Sequence, residues 1–385
     1  MSSALLLKGF EVEMYTGRPD GTVVGCAAEA ARQLAGFVTE PDNRNLEYTT
    51  PPEASYQRQL ALLLEPRQRL RRWLAPRGLT LLPGSTLATG GADHFERSDP
   101  GNPYHAYIER TYGTRVVTAS VHINLGMTAM ESLFAGLRLI RCEAALLLAL
   151  SASSPFLDGQ PTGAHSQRWL QFPLTPPRVP LFLSHAHYVS WINEQLAQGS
   201  MENVRHLWTS VRPNGDDRPH DLNRIEVRIC DLIADPLELL AVTAFIELRL
   251  AQLFADPEGL DPLRASSLTP DELALLADDN DRAAAQASLG AELSHWRDGA
   301  PVLARDWIAA ELEALAPLAA ERKLSRLLEP LGDLLYRGNA ATRWLAQFRA
   351  GQSVDAILAA EAAGLESREK MLEAYLATDP SHALG

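Results

Sequence analysis

The sequence predicts an α+β protein, with strands confined to roughly the first 230 residues and a helical C-terminal part. Residues 9–14, 120–124 and 224–229 alternate apolar and polar side chains with the period of two that is typical of β-strands. Long segments of helical periodicity separate these strands, and from residue 236 onward only helical periodicity is found.

Each of the three strands has an apolar back and a polar front, because side chains at i and i+2 share one face of a strand. The front positions are Glu11 and Glu13, His122 and Asn124, and Glu226 and Arg228. If the strands lie in one sheet, their fronts form an oxygen-rich site for a hard cation, beside one basic group for a phosphate. Taken alone, the first pair is equally consistent with two solvated surface glutamates.

The other elements of the N-terminal part follow from periodicity and from turn residues. Strands are predicted at 43–50, 79–82 and 207–212, and Glu47 and Thr49 share a face of the first of these. Helices are predicted at 26–37, 53–74, 104–112, 128–152 and 184–198. The segment 153–168 is a long loop within a compact region, and such loops are often lids or binding loops.

The C-terminal part is predicted to contain helices only, at 236–254, 271–277, 282–293, 302–315, 318–336, 340–348, 354–362 and 368–377. We therefore divide the chain into a sheet-containing catalytic core, residues 1–255, and a helical part, residues 256–385, packed on the core as one unit.

Composition restricts the partners and the compartment. With 385 residues, 46% of them hydrophobic, the chain can bury a large core. A net charge of −13 argues against nucleic acid or an anionic membrane surface as a partner. Residues 1–7 do not resemble a signal peptide, and no apolar run is long enough to span a membrane. Cys26, Cys142 and Cys230 lack motif spacing, so we expect no disulfide framework and a cytoplasmic location.

Several common catalytic motifs are absent from the sequence. It contains no GxxxxGK[ST] phosphate loop, no GxGxxG after a strand, no GxSxG and no HExxH. Four carboxylates (Glu11, Glu13, Glu47 and Glu226) and His122 instead indicate a site for several Mg²⁺ or Mn²⁺ ions that clamps the phosphates of a nucleotide. Arg228, beside Glu226, is placed to neutralise a transferred phosphoryl group.

The ordered motifs at 9–13, 102–113, 122–124, 153–168 and 224–231 resemble those of glutamate–cysteine ligase family 2, in particular its cyanobacterial type. This resemblance implies a glutamine-synthetase-like fold, in which a curved, largely antiparallel sheet carries helices on its convex face. It also implies ATP-dependent joining of the γ-carboxylate of L-glutamate to the amine of L-cysteine through γ-glutamyl phosphate, the first step of glutathione synthesis.

The resemblance also implies roles for individual residues. The implied metal ligands are Glu11, Glu13, Glu47, His122 and Glu226. Arg228 and Glu226 become the catalytic pair, Arg228 and Asn124 contact ATP, and Arg168, Thr162 and Ser166 bind substrate. One helix departs from the family pattern: residues 280–286 lack the tryptophan and the second basic residue of related ligases.

Other interpretations of the same residues stay open. A two-metal hydrolase would use these carboxylates to activate water, although Arg228 and the long loop would then have no role. A non-catalytic nucleotide-binding relative would keep the sheet alone. Within the ligase interpretation, the sequence leaves the accepted amine and the oligomeric state undetermined.

Overall fold

The computed structural model describes residues 5–378, and its centre is a seven-stranded sheet in which all neighbouring strands pair antiparallel. The sheet strands are β1 (Lys8–Gly17), β2 (Phe37–Thr39), β3 (Asn45–Thr49), β4 (Thr80–Leu82), β5 (Val121–Gly126), β8 (Val211–Asn214) and β9 (Arg224–Val227). Their order is β2-β3-β1-β5-β9-β8, and β4 pairs with the end of β1. Two further strands, β6 (Phe156–Leu157) and β7 (Gln160–Pro161), pair with each other outside this sheet. The predicted α+β class with a largely antiparallel sheet is confirmed.

Helices surround this sheet and continue to the end of the described chain. Those of the first 255 residues are α1 (Ala27–Gln33), α2 (Tyr56–Leu74), α3 (Pro103–Tyr112), α4 (Met130–Ser151), α5 (Gln167–Gln171), α6 (His185–Ala197) and α7 (Pro236–Ala255). They are followed by α8 (Pro257–Leu260), α9 (Pro262–Ala265), α10 (Pro270–Ala287), α11 (Ala304–Glu321), α12 (Ser325–Arg337), α13 (Ala340–Arg349) and α14 (Val354–Thr378). No helix within residues 5–378 combines the length and apolarity needed to cross a membrane.

The apolar face of the sheet packs on α2, α4 and α7. Phe10, Val12 and Met14 of β1 are at most 1% exposed and belong to the same hydrophobic core as the buried residues of these helices. Helix α4 is buried along nearly its whole length, as its apolar sequence predicts. The same core includes Trp307 of α11, so helices from both sides of residue 255 contribute to it. The division into 1–255 and 256–385 stays a prediction.

Several predicted elements were wrong. The helix predicted at 26–37 ends at Gln33, and β2 follows it. The helices predicted at 271–277 and 282–293 are one helix, α10, which ends at Ala287 and is followed by β10 (Glu292–Ser294), which pairs with β11 (Pro301–Leu303). The helices predicted at 354–362 and 368–377 are likewise one helix, α14. Helix α11 continues through Pro317, where a break had been predicted. Local sequence gives only a weak signal for a three-residue strand or for whether a proline ends a helix. Tertiary packing determines both.

Strand β8 begins and ends later than predicted, because the turn was expected to start at Pro213. Pro213 instead lies within β8, which is an edge strand of the sheet. An edge strand tolerates proline because one of its sides forms no ladder hydrogen bonds. The shift matters for the site, because it places Asn214 in the strand, opposite Arg224.

The apolar face of β1 carries one charged residue. Lys8 shares that face with Phe10 and Val12, and its Nζ lies 2.9 Å from Oε2 of Glu247 in α7, with both side chains 0% exposed. Tyr56 donates its hydroxyl to the same Glu247 carboxylate at 2.7 Å, and burial lowers the pKa of Lys8. The ion pair thus joins the first strand to helices α2 and α7 inside the core.

We predict that Lys8→Met destabilises the protein by about 3–5 kcal/mol, because it leaves the Glu247 carboxylate buried without its cation. The double variant Lys8→Met/Glu247→Leu should lose less stability than the sum of the two single variants. Urea unfolding measures each free energy of unfolding.

The matched control is Arg58→Ala, which removes the partner of Glu53 from an ion pair whose arginine side chain is 76% exposed. This change should cost under ~1 kcal/mol. A Lys8→Met variant no less stable than Arg58→Ala would contradict the structural role of the buried pair.

Candidate functional site

The strand register brings the predicted polar fronts together on one face of the sheet. Glu11 pairs directly with His122, and Glu13 pairs with Glu47. One strand further, Asn124 pairs with Glu226, which in turn lies opposite Arg212 of β8. Residues directly opposite one another in antiparallel strands project to the same face. The side chains therefore form a continuous polar row across β3, β1, β5, β9 and β8.

The first cluster in this row consists of Glu11, His122 and Glu226, which present one ligand atom each within 4.8 Å of one another. His122 Nδ1 lies 2.9 Å from Oε2 of Glu11 and 3.8 Å from Oε1 of Glu226. Burial opposes ionisation of Glu11, but the hydrogen bond and the attraction of His122, together with the attraction of Arg228, outweigh it and lower the Glu11 pKa. We call this group the histidine cluster.

Glu226 is fully buried, and two guanidinium groups neutralise its charge. Arg212 donates to both of its carboxylate oxygens, at 2.8 and 3.0 Å, and Asn214 Nδ2 donates at 2.5 Å. The Arg228 guanidinium contacts the carboxylate from the other side. Burial alone would raise the Glu226 pKa, but Arg212 and then Arg228 draw it well below its usual range. Glu226 is therefore an ionised carboxylate at neutral pH.

The second cluster consists of Glu13, Glu40 and Glu47, again with ligand atoms within 4.8 Å of one another, and we call it the glutamate cluster. In contrast to Glu226, these carboxylates have no guanidinium bound to them within residues 5–378. Burial, with repulsion from Glu40 and Glu13, raises the pKa of Glu47 to about 10. Burial likewise raises the pKa of Glu13 and of Glu40. The cluster carries an excess of acidic groups that a cation would neutralise.

The potential ligand atoms of both clusters are of the kinds that bind a divalent metal ion. Carboxylate oxygens and a single imidazole are typical ligands of Mg²⁺ and Mn²⁺. Asn124 adds an amide beside Glu11, to which it donates at 3.1 Å, while its own Oδ1 is buried and has no hydrogen-bond partner in the described part of the chain. An orphaned buried oxygen of this kind is satisfied when a cation is bound next to it.

Arg228 lies at the junction of the two clusters. Its guanidinium contacts Glu226 and approaches His122 Nδ1 at 3.4 Å. Burial alone would lower its pKa, but Glu226, Glu11 and Glu13 together raise it. A fixed cation among several carboxylates is positioned to meet a phosphate oxygen that those carboxylates hold through metal ions.

The three predicted substrate-binding residues of the loop 153–168 all have partners within the protein. Ser166 is fully buried, donates to Asp231 Oδ1 at 2.7 Å and caps α5. Thr162 donates to the carbonyl of Pro155 at 3.2 Å. Arg168 is 3% exposed and donates to the carbonyls of Arg228 and Ile229, both at 3.0 Å. Their geometry is that of a scaffold that fixes the end of β9 and the backbone of Arg228.

Helix α10, which departs from the family pattern, supports the same loop. The carbonyl of Ala285 accepts from the backbone amides of His165 and Ser166, and Gln286 Nε2 donates to the carbonyl of Gly163. Asp278 and Asp281 of this helix pair with Arg141 of α4. The region 280–286 thus anchors the loop through the backbone carbonyl of Ala285 and the side-chain amide of Gln286.

Sequence reasoning missed Glu40, Arg212 and Asn214. Glu40 follows β2 and lies two residues after Val38, which pairs with Glu47, so it projects to the same face as Glu47. Had β2 been recognised, the two-residue spacing from Val38 would have placed Glu40 on the polar face of the sheet. Arg212 and Asn214 show alternation only when β8 is extended through Pro213.

The chain is similar to known proteins along most of its length. The model of glutamate–cysteine ligase family 2 matches residues 7–369. A protein of Gloeobacter violaceus, provisionally named glutamate–cysteine ligase 2, is 29% identical over 269 residues, which are 68% of each chain. A Leifsonia xyli protein with the same provisional name is 28% identical over 276 residues, 70% of each chain.

Two solved structures share the fold. A glutamate–cysteine ligase from Francisella tularensis, in complex with AMP, aligns with 98% of this chain and 95% of its own, with a TM-score of 0.68 and 14% identity. A bifunctional glutathione synthetase from Pasteurella multocida aligns with 94% of this chain, which spans about half (52%) of that protein, with a TM-score of 0.73 and 16% identity. With the family model matched over residues 7–369, the protein belongs to glutamate–cysteine ligase family 2.

Proposed function

We propose that this protein is an ATP-dependent ligase that joins the γ-carboxylate of L-glutamate to the amine of L-cysteine and releases ADP and phosphate. Membership of the family supports the reaction class. The observation that carries the proposal is that two carboxylate clusters and Arg228 lie on one face of the sheet. Such an arrangement suits phosphoryl transfer, in which catalysis consists largely of positioning and neutralising charge.

The histidine cluster and the glutamate cluster would hold the metal ions, with Asn124 contributing its amide oxygen. Bound Mg²⁺ or Mn²⁺ would neutralise the charge of the ATP phosphates. Apart from Glu40, which follows β2, these side chains lie on β3, β1, β5 and β9, which are all inner strands of the sheet. Rigid strands keep such ligands in place without the cost of reordering a loop for each turnover.

The reaction has two steps. An oxygen of the glutamate γ-carboxylate attacks the terminal phosphorus of ATP, and ADP leaves with the bridging oxygen. The amine of cysteine then attacks the acyl carbon of γ-glutamyl phosphate, phosphate leaves, and the nitrogen loses a proton. In the first step Arg228 faces the charge that develops on the transferred phosphoryl group, and Glu226 and Arg212 fix the position of its guanidinium.

Arg168 acts, in this proposal, through Arg228. The guanidinium of Arg168 binds the carbonyls of Arg228 and Ile229, so it sets the course of the backbone that presents Arg228. This position favours a positioning role over a direct grip on the glutamate carboxylate. Thr162 and Ser166 order the same loop, and their contribution to substrate binding is indirect.

ADP release with glutamate against a panel of amines tests the proposed function. We expect release to require both glutamate and an amine, to depend on Mg²⁺ or Mn²⁺, and to be fastest with L-cysteine. Release that requires glutamate and an amine other than cysteine would indicate a ligase with a different acceptor amine. Release that is independent of any amine would indicate a hydrolase, and no release with any amine would indicate a non-catalytic relative.

We predict that Arg228→Lys lowers turnover roughly 100-fold, because an ammonium group cannot reproduce the planar fork that meets both Glu226 and a phosphoryl oxygen. The KM values should change by less than about threefold, since the interaction acts mainly on the transition state. Steady-state kinetics with ATP, glutamate and cysteine measures both parameters.

Arg264→Lys is the control, because Arg264 lies outside the sheet on α9 and its ion pair with Glu258 is exposed. Its turnover should stay within about twofold of the unmodified enzyme. Equal losses in the two variants, or an effect of Arg228→Lys on KM alone, would contradict the assigned role.

A further inference from the structure

A cavity of about 330 Å³ lies apart from the two carboxylate clusters. It is enclosed by the end of α4, the segment that follows β9, the first turn of α7 and helices α13 and α14. None of the residues that line it belongs to the histidine cluster or the glutamate cluster. The functions assigned above therefore leave this cavity unused.

One residue that lines the cavity carries an unsatisfied hydrogen-bond donor. Trp344 of α13 lines the cavity, is 2% exposed, and its indole Nε1–H has no hydrogen-bond partner within residues 5–378. The six-membered ring of its indole would lie 3.4 Å from a Cβ atom added at Gly84, so the backbone at Gly84 limits movement of the indole. A buried donor without an acceptor costs free energy, which a ligand oxygen in the cavity would recover.

The charged groups of the cavity are incompletely paired. Asp235 and Arg368 bind each other at 2.9 Å. Arg343, by contrast, donates only to the carbonyl of Gly338, and Glu238 has no hydrogen bond or ion pair within the described residues. The cavity therefore offers two carboxyl groups, those of Glu238 and Glu361, and one guanidinium, that of Arg343, which form no direct ion pair within the described residues.

The environment of Glu238 favours a cationic ligand. Burial, followed by repulsion from Asp235, raises the Glu238 pKa to about 7, and Glu361 acts in the same direction. Arg343 and Arg368 oppose this rise without cancelling it. An ammonium group bound beside Glu238 would stabilise its ionised form, whereas a carboxylate would be repelled there and attracted to Arg343.

Most of the remaining lining is apolar and includes Leu150, Leu232 and Leu365, beside the two hydroxyl residues Ser151 and Ser153. We propose that this cavity is a binding site for a small α-amino acid with an apolar side chain. Its ammonium group is bound by Glu238, its carboxylate by Arg343 and the indole N–H of Trp344, and its side chain by the three leucines. This site lies outside the catalytic face, and its occupant is a ligand additional to the substrates of the proposed reaction.

Isothermal titration calorimetry with L-leucine, L-methionine and L-phenylalanine tests the proposal. We expect at least one of them to bind one site per chain with a Kd below about 1 mM. N-acetyl-L-leucine, which lacks the ammonium group, and L-leucinamide, which lacks the carboxylate, should each bind at least about tenfold more weakly than L-leucine.

Variants locate the binding in the cavity. Trp344→Phe retains a ring but removes the N–H, and Glu238→Gln removes the charge; each should weaken binding about tenfold. If Trp344→Phe does not fold, Arg343→Met tests the carboxylate contact at a half-buried position. Glu11→Gln, within the histidine cluster, should leave the binding unchanged, and calorimetry needs no turnover, so the result is independent of the proposed reaction.

The proposal is overturned if none of the three amino acids binds. It is also overturned if the cavity variants bind as the unmodified protein does, or if Glu11→Gln abolishes binding, because the ligand would then occupy the catalytic face.

Discussion

Repulsion between carboxylates that the fold gathers on one face of a sheet is the constraint on which the site depends. Two ionised carboxylates with oxygens within 4.8 Å of one another repel by at least about 3 kcal/mol at an effective dielectric constant of 20. That is a large fraction of the ~5–15 kcal/mol by which a domain is stable. The core beneath the sheet, including the buried Lys8–Glu247 pair and the apolar face of β1, holds the strands together against this repulsion.

The structure answers this repulsion in two ways. On β9, Arg212 and Arg228 neutralise Glu226 and keep it ionised. In the glutamate cluster no such cation is supplied by the described chain, and the pKa of each of the three carboxyl groups is raised. The negative charge of Glu226 is thus neutralised by the protein itself, whereas that of the glutamate cluster is neutralised by protons or by an added cation. This asymmetry is the physical basis for assigning the glutamate cluster to a metal ion.

Much of the site follows from the period of two along single strands. Glu11 and Glu13, His122 and Asn124, and Glu226 and Arg228 could be assigned to one polar front because each pair is local. Spacing along the sequence could not show which of these strands are neighbours in the sheet. The family resemblance grouped the three pairs into one site. Glu40 was missed because a three-residue strand has too few positions to show alternation, and Arg212 because proline within β8 imitated a turn.

The loop 153–168 shows a different limit of sequence reasoning. Its length and glycine content indicate a functional loop, but they do not show that Asp231, far along the chain, binds Ser154 and Ser166. Buried polar networks of this kind are settled by tertiary contacts. Arg168 was expected to bind substrate, but its guanidinium instead donates to the backbone carbonyl of Arg228.

Thermal unfolding of Glu47→Gln with and without Mg²⁺ tests most directly whether the glutamate cluster is a metal site. Glutamine can still donate a hydrogen bond to Glu40 and is neutral without binding a proton, whereas Glu47, whose pKa burial and repulsion raise to about 10, must take up a proton on folding at neutral pH. The variant should therefore unfold at a higher temperature than the unmodified protein when metal is removed by chelation. With Mg²⁺ added, the unmodified protein should gain more stability than the variant, since only the unmodified cluster is complete. The exposed control Glu313→Gln should behave like the unmodified protein under both conditions. A Glu47→Gln variant that is less stable without metal and gains as much from Mg²⁺ would contradict the account.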